Sequence, residues 1–213
     1  GDPALSDRFL AARPGTFADA GRGRADWTAR DAEREDGHVG YIKGYDPNSL
    51  RELVDPAECE GRLAEIAEQR SLPSMLERVW LLKVLGRLEE GLRLADEAVR
   101  QARMAGTRKD LLRARVLRAT VQQYRGAHGA ADHELAACVA EAEGQGWIPI
   151  AAFAHQHRGR NAFEAGEFDQ ARESFKHTVF LRREAGADDA ALEIALRAVD
   201  TVERHRDPVA VNG

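Results

Sequence analysis

The sequence predicts an all-α chain of antiparallel helix pairs that follows a mostly irregular N-terminal arm. Two observations carry this fold class. No stretch alternates apolar and polar residues with the sustained period of two that is typical of a half-buried strand. Between residues 71 and 205 the only prolines are Pro73 and Pro149, and both suit the start of a helix, where proline is tolerated. This region is therefore expected to be helical almost throughout.

Residues 1–54 form the predicted arm. Glycine and proline are too frequent between residues 1 and 48 for a long helix, so only one or two short helical turns are expected there. Disordered tails are usually poor in aromatic residues. This arm, in contrast, carries Phe9, Phe17, Trp27, Tyr41 and Tyr45. Either these rings dock the arm onto the helical part, or they fill a groove or cover a ligand.

The helical part, residues 55–205, begins with Asp55 as an N-cap and Pro56 in the first turn. Within it, two sets of glycines repeat every 40 residues: Gly86, Gly126 and Gly166, and then Gly106, Gly146 and Gly186. The first glycine of each pair suits a helix C-cap with positive φ. The spacing predicts units of about residues 72–111, 112–151 and 152–191, a capping helix over 188–205 and a tail over 206–213.

The third unit carries a family resemblance. Its residues Gly159, Phe163, Gly166, Ala171 and Phe175 match the small, aromatic and turn positions of a tetratricopeptide repeat, or TPR. The segment 152–183 therefore resembles this family, and the two preceding units match it more weakly. The period of 40 resembles the extended repeats of large bacterial signalling regulators. The chain departs from the pattern at the first signature position, where the family has Trp and this sequence has Met75, Arg115 and His155.

The resemblance implies a TPR-like α-solenoid whose concave groove is lined by the first helix of each pair. The binding residues expected in this groove are Trp80, Lys83, Arg113, Leu117, Gln123, Tyr124, Phe153, Gln156, His157, Arg160, Phe163 and Arg197. Aromatic anchors with Arg and Gln between them suit an extended or helical peptide. The alternative is that several of these rings are buried against the arm or a neighbouring repeat.

Charge separates the two parts of the chain. Residues 1–70 hold 10 basic and 15 acidic side chains, so the net charge of −5 belongs to them. An acidic balance without a block of Lys or Arg argues against a nucleic-acid or membrane partner. Residues 100–125 are locally basic and residues 126–145 acidic. The basic stretch either binds an acidic or phosphate-bearing ligand, or is balanced by the acidic one across a helix pair.

No catalytic group, metal site or cofactor is expected. Cys59 and Cys138 lack the spacing of a zinc site or a disulfide framework. His155 and His157 lie two residues apart, which places them on different sides of a helix. No nucleotide-binding or nucleophile motif occurs. No apolar run is long enough to span a membrane, so a soluble, cytoplasmic protein is expected.

The expected function is that of a non-enzymatic scaffold or regulatory module that binds a protein or peptide in the groove, with the arm contributing to the groove or covering it. The alternative is a small-molecule sensor or pocket enzyme that uses the same cavity, with Arg113, Tyr124, His157 and Arg160 as polar contacts. A third possibility is a homodimer formed through an exposed array end.

Overall fold

The computed structural model describes residues 41–206. A short β-hairpin comes first, and eight helices follow it within this range. The strands are β1 (Ile42–Tyr45) and β2 (Glu52–Val54), and the helices are α1 (Pro56–Glu65), α2 (Leu72–Val84), α3 (Leu88–Ala105), α4 (Arg108–Tyr124), α5 (His128–Gly144), α6 (Ile148–Glu164), α7 (Phe168–Glu184) and α8 (Asp189–Arg206). The described chain is mostly helical, which confirms the all-α class. Most of the predicted arm, residues 1–40, and residues 207–213 of the tail lie outside the described range.

Side chains cap the first turns of α1 and α4. The Asp55 carboxylate accepts a hydrogen bond from the backbone N–H of Ala57 at 2.8 Å and caps α1, as the sequence predicts. At the start of α4, Thr107 and Asp110 form a capping box. These caps satisfy backbone donors that the first turn of a helix leaves without a partner.

Three glycines close the turns after α2, α4 and α6. Gly86, Gly126 and Gly166 have φ values of +75°, +78° and +78°, so the positive φ predicted for them is confirmed. After Gly126 the N–H of Ala127 donates to the carbonyl of Gln122 at 2.9 Å, which satisfies a carbonyl at the helix end. Gly106, from the second set, differs because its backbone is extended with φ of −91°.

Each helix packs against the next one along the chain, from α1 to α8. In addition, α2 contacts α4, and α4 contacts α6. The helices α2, α4 and α6 therefore lie side by side. Gly159 on α6 allows the close approach of α7, because a Cβ there would lie 2.8 Å from Cε1 of the buried Phe175. Within residues 41–206, no helix combines the length and the apolar character that a membrane crossing needs.

The hairpin corrects the sequence expectation for the end of the arm. Residues 42–54 were expected to be irregular or to form a helical turn, but β1 and β2 pair antiparallel, with Tyr45 opposite Glu52. The Asp46 carboxylate organises the turn by accepting from the N–H of Asn48 and of Ser49, both at 2.8 Å. The strands have only 4 and 3 residues. Such short strands do not produce a sustained alternation in the sequence.

Candidate binding groove

The surface of α2, α4 and α6 that faces the hairpin is called the groove below. Its residues occur at positions 40 apart, such as Trp80, Thr120 and Arg160, or Val84, Tyr124 and Glu164. Among the predicted binding residues, Arg113, Leu117 and Tyr124 are half-buried and Arg197 is exposed on α8. The others are buried: Trp80, Lys83, Gln123, Phe153, Gln156, His157, Arg160 and Phe163.

A carboxylate from the hairpin lies at the centre of the groove. The Nζ of Lys83 and the Nη1 of Arg160 donate to Oε1 of Glu52, at 3.1 and 3.2 Å. The hydroxyl of Tyr124 donates to Oε2 of the same residue. The side chains of Lys83, Glu52 and Arg160 are only 1%, 4% and 4% exposed. Donors from three helices therefore converge on one buried carboxylate of β2.

Burial and charge fix the protonation states of this cluster. Burial acts to raise the pKa of Glu52, but Lys83, Arg160 and the Tyr124 hydroxyl outweigh it and hold the pKa below its usual range. Burial and the Glu52 carboxylate raise the pKa of Tyr124. Burial, together with Arg160 and Lys83, lowers the pKa of His157 well below its usual value. At neutral pH the cluster thus contains an ionised Glu52, a protonated Tyr124 and a neutral His157.

The neighbouring residue of the hairpin makes a second charged contact. The guanidinium of Arg51 binds the Glu164 carboxylate through two hydrogen bonds of 2.9 and 2.7 Å. Gln123 donates to the same carboxylate at 2.8 Å. Arg51 also lies over the ring of Tyr124, 4.4 Å from its centroid. A bidentate pair of this kind fixes orientation as well as charge.

Apolar contacts hold the hairpin on both sides of the charged cluster. Leu50 is buried in a cluster that contains Phe163 and Phe175. Ile42 and Val54 pack against a second cluster, which contains Trp80. Phe163 and Trp80 are therefore buried in clusters to which the hairpin also contributes. The aromatic arm residues within the described range also dock there, since Tyr41 packs on the second cluster and Arg160 lies over the Tyr45 ring at 4.8 Å.

Part of this surface is open. A cavity of about 600 Å³ lies between the hairpin and α8, with α6 contributing to its lining. Its lining includes Leu50 from the hairpin, Gln156 from α6, and Arg197 and Asp200 from α8. The side-chain oxygen of Gln156 is buried and receives no hydrogen bond from the described residues. The cavity thus combines apolar walls with polar groups that a ligand can satisfy.

Three arginines of the basic stretch form ion pairs within the chain. Arg108 and Arg115 on α4 bind the Glu141 carboxylate of α5, at 3.1 and 3.3 Å. Arg118 bridges Glu134 of α5 and Asp96 of α3. Of the two interpretations of the basic stretch, the structure thus supports the one in which acidic side chains balance its charge across a helix pair. We call these residues the outer network.

The histidines and cysteines do not form a site within residues 41–206. His155 binds Glu143 at 2.9 Å and stacks on His177, with ring centroids 4.9 Å apart, whereas His157 lies edge-on to Phe153. Cys138 is a buried free thiol whose pKa burial raises to about 12. No group of three or more His, Cys, Asp and Glu side chains in this range is arranged to hold a metal ion.

Comparison of the chain with protein-family models, with curated proteins and with solved structures finds no match. The resemblance to TPR proteins therefore depends on the residues quoted above.

Sequence reasoning missed the hairpin side of the groove, namely Leu50, Arg51 and Glu52. The sequence contained one signal for them. Lys83 and Arg160 stood at positions predicted to face inward, and buried cations require an anionic partner. That partner is Glu52, which lies 31 residues from Lys83 and 108 residues from Arg160 along the sequence.

Proposed function

We propose that the chain is a non-enzymatic binding module in which a TPR-like array of helix pairs binds an extended segment of a partner protein. The row formed by α2, α4 and α6 supports this arrangement, since the first helices of successive TPR-like units would contact each other in this way. The positive φ of Gly86, Gly126 and Gly166 at equivalent turns supports it as well. The buried free thiols suit a cytoplasmic protein, which is part of the proposal.

One observation carries the proposal: the groove already holds a short segment of the chain itself. Residues 50–52 contact three helices through an apolar side chain, a bidentate Arg and a buried Glu. The side chains that hold this segment are those that a peptide partner requires, because apolar pockets give affinity and charged pairs give orientation.

The open cavity beside the hairpin is the site that we propose for the partner. Glu193, Arg197, Asp200 and Arg204 line it from one face of α8, with alternating charge. A peptide that enters here can pair with these side chains and cover the apolar wall formed by Leu50 and Tyr45. Such a cavity extends the groove beyond the hairpin.

The experiment is selection of a random 12-residue peptide library on the full chain, followed by affinity measurement of enriched peptides. We expect Arg197→Glu to weaken binding about tenfold, which corresponds to about 1.4 kcal/mol. The matched control is Arg100→Glu, which changes an exposed residue of α3 outside the cavity lining and should leave affinity unchanged. An absence of enriched peptides, or equal losses in both variants, would contradict the proposal.

A small-molecule sensor is the second candidate function. The cavity volume of about 600 Å³ is within the range of pockets that bind metabolites. A thermal-shift panel of metabolites and nucleotides separates the two candidates. A reproducible rise of several degrees with one compound would favour the sensor, because a ligand that binds only the folded state stabilises it.

Self-association through an end of the array is proposed as a further property. Leu196 on the last described helix is 42% exposed, which offers an apolar contact at that end. Light scattering at two concentrations tests this directly, and a monomeric mass at both would remove it.

A further inference from the structure

We infer that Lys83, Tyr124 and Arg160 form a receptor for the glutamate carboxylate of a partner peptide, and that Glu52 occupies this receptor as a built-in competitor. The inference rests on the proposed peptide-binding function and adds the class of ligand and its regulation. We call the three side chains the carboxylate receptor. The partner is a peptide that presents an apolar, a basic and an acidic residue in succession.

The geometry of the receptor defines the ligand. Lys83 and Arg160 both donate to Oε1 of Glu52, and Tyr124 donates to Oε2. The three donors come from α2, α6 and α4, so none of them belongs to the hairpin. Together they match both oxygens of one carboxylate. An amide or a hydroxyl would not supply the negative charge that the Glu52 carboxylate places beside these two buried cations.

Removal of the carboxylate from the receptor would carry a large free-energy penalty. Lys83 and Arg160 are almost fully buried, and a buried cation is tolerated only with a charged or hydrogen-bonded partner. Another carboxylate in the place of Glu52 would retain the hydrogen bonds that Lys83, Arg160 and Tyr124 donate. This makes the pocket a site of competition between the chain and its partner.

The contacts on either side of Glu52 extend the recognition to a sequence. Arg51 is held by Glu164 and the Tyr124 ring, and Leu50 lies among Phe163, Phe175 and their neighbours. A partner segment that reproduces the order Leu-Arg-Glu with the same backbone conformation, in which Leu50 has a φ of +57°, would fill the same three places. The expected ligand is thus a short linear motif of this type.

The hairpin is suited to being displaced. It has two strands of 4 and 3 residues, and a two-stranded hairpin of this size is marginal without support. Leu50 adopts a φ of +57°, which is unfavourable for a residue other than glycine. The open cavity lies directly beside β1, so a competing peptide can approach the groove before the hairpin leaves.

The test uses a fluorescent peptide with the sequence of residues 48–55, NSLRELVD, and measures its binding to the full chain by polarisation. Glu52→Gln in the protein weakens the competitor and leaves the receptor intact. We expect this variant to bind the peptide about tenfold or more tightly than the wild type does. The control is Glu58→Gln, which removes an exposed ion pair between α1 and Lys43 of the same hairpin and should bind like the wild type.

A second peptide tests the chemistry of the ligand. It carries the change Glu52→Gln, and we expect it to bind the Glu52→Gln protein at least tenfold more weakly than NSLRELVD does. If the Glu52→Gln protein loses its helical circular dichroism, Arg51→Ala replaces it. This variant removes the contacts of Arg51 with Glu164 and with the Tyr124 ring but keeps all three receptor side chains, and we expect about a threefold gain in affinity for NSLRELVD.

If the wild type and the folded hairpin variant bind NSLRELVD with equal affinity, the inference is wrong. It is also wrong if that variant binds NSLRELVD and the peptide with Gln in place of Glu52 with equal affinity. Library peptides whose binding depends on Arg197 are tested separately, because Arg197 on α8 is not one of the three receptor side chains, although Arg160 lines the cavity as well. Failure of the inference and failure of the proposed function are therefore distinguishable.

Discussion

The groove and the outer network both contain several ion pairs, but the two regions differ in burial and in chain distance. In the groove, Glu52 binds cations on α2 and α6 and is 4% exposed. In the outer network, Glu141 binds Arg108 and Arg115 across neighbouring helices and is 26% exposed. Water can replace a partner in the second case but not in the first. The comparison shows which charges specify the structure and which only balance its surface.

The largest expected effect is that of Glu52→Ala. It leaves Lys83 and Arg160 buried without the carboxylate, so we expect the free energy of unfolding to fall by about 3 kcal/mol. The matched change in the outer network is Glu141→Ala, with an expected loss below about 1 kcal/mol. Urea denaturation followed by circular dichroism measures both. Equal losses would break the distinction between the two regions.

Arg51→Ala tests an intermediate case. Arg51 is partly exposed, but its partner Glu164 is nearly buried, so removal of the bidentate pair should cost about 2 kcal/mol. Lys43→Ala is the control on the same hairpin, because Lys43 pairs with Glu58 in solvent. The control should have no measurable effect in the same urea titration. If Arg51→Ala leaves the free energy of unfolding unchanged, the pair of Arg51 and Glu164 does not stabilise the docked hairpin.

The pH dependence of stability tests the burial of His157. Its pKa in the folded chain lies below the value of about 6.5 in an unfolded chain, so the folded state binds fewer protons between the two values. The stabilisation is therefore present above about pH 6.5 and is lost as the pH falls. Below the unfolded pKa, this residue should reduce the free energy of unfolding by up to about 1.4 kcal/mol per pH unit.

The measurement for His157 is urea denaturation at about pH 7.5 and about pH 5.5. His157→Gln should reduce the difference in stability between these two pH values. The control, His133→Gln, changes an exposed residue of α5 and should retain the wild-type difference. Glu52 does not contribute in this window, since its lowered pKa causes loss of stability only below about pH 4.3. An unchanged pH dependence in His157→Gln would place this ring in contact with water.

The smallest effect is expected for Arg115→Gln in the outer network. Arg115 contacts Glu141 and Glu134, and both partners retain a second arginine. The free energy of unfolding should fall by less than about 0.5 kcal/mol, and the loss should shrink further in about 1 M salt. The same salt series should leave the loss in Glu52→Ala nearly unchanged. A large, salt-independent loss in Arg115→Gln would show that Arg108 and Arg118 do not compensate for the lost arginine.

Local patterns predicted the helical frame and the helix surface of the groove. The Asp55 cap and the glycine spacing located helix ends, because these positions depend on backbone geometry within a few residues. Lys83, Tyr124 and Arg160 could be predicted from the same register. Glu52 could not, because its position depends on contacts up to 108 residues away along the chain. The hairpin escaped prediction for a similar reason, since its short strands are supported mainly by the helices beneath them.

A double-mutant cycle between Glu52 and Arg160 tests the central claim most directly, because it measures a contact across 108 residues. The changes are Glu52→Gln and Arg160→Met, alone and together, with stability measured by urea denaturation. We predict a coupling energy of about 2 kcal/mol, within the range for residues in one buried charged network. Losses that add within about 0.3 kcal/mol would contradict the account, because Glu52 would then lie outside the groove.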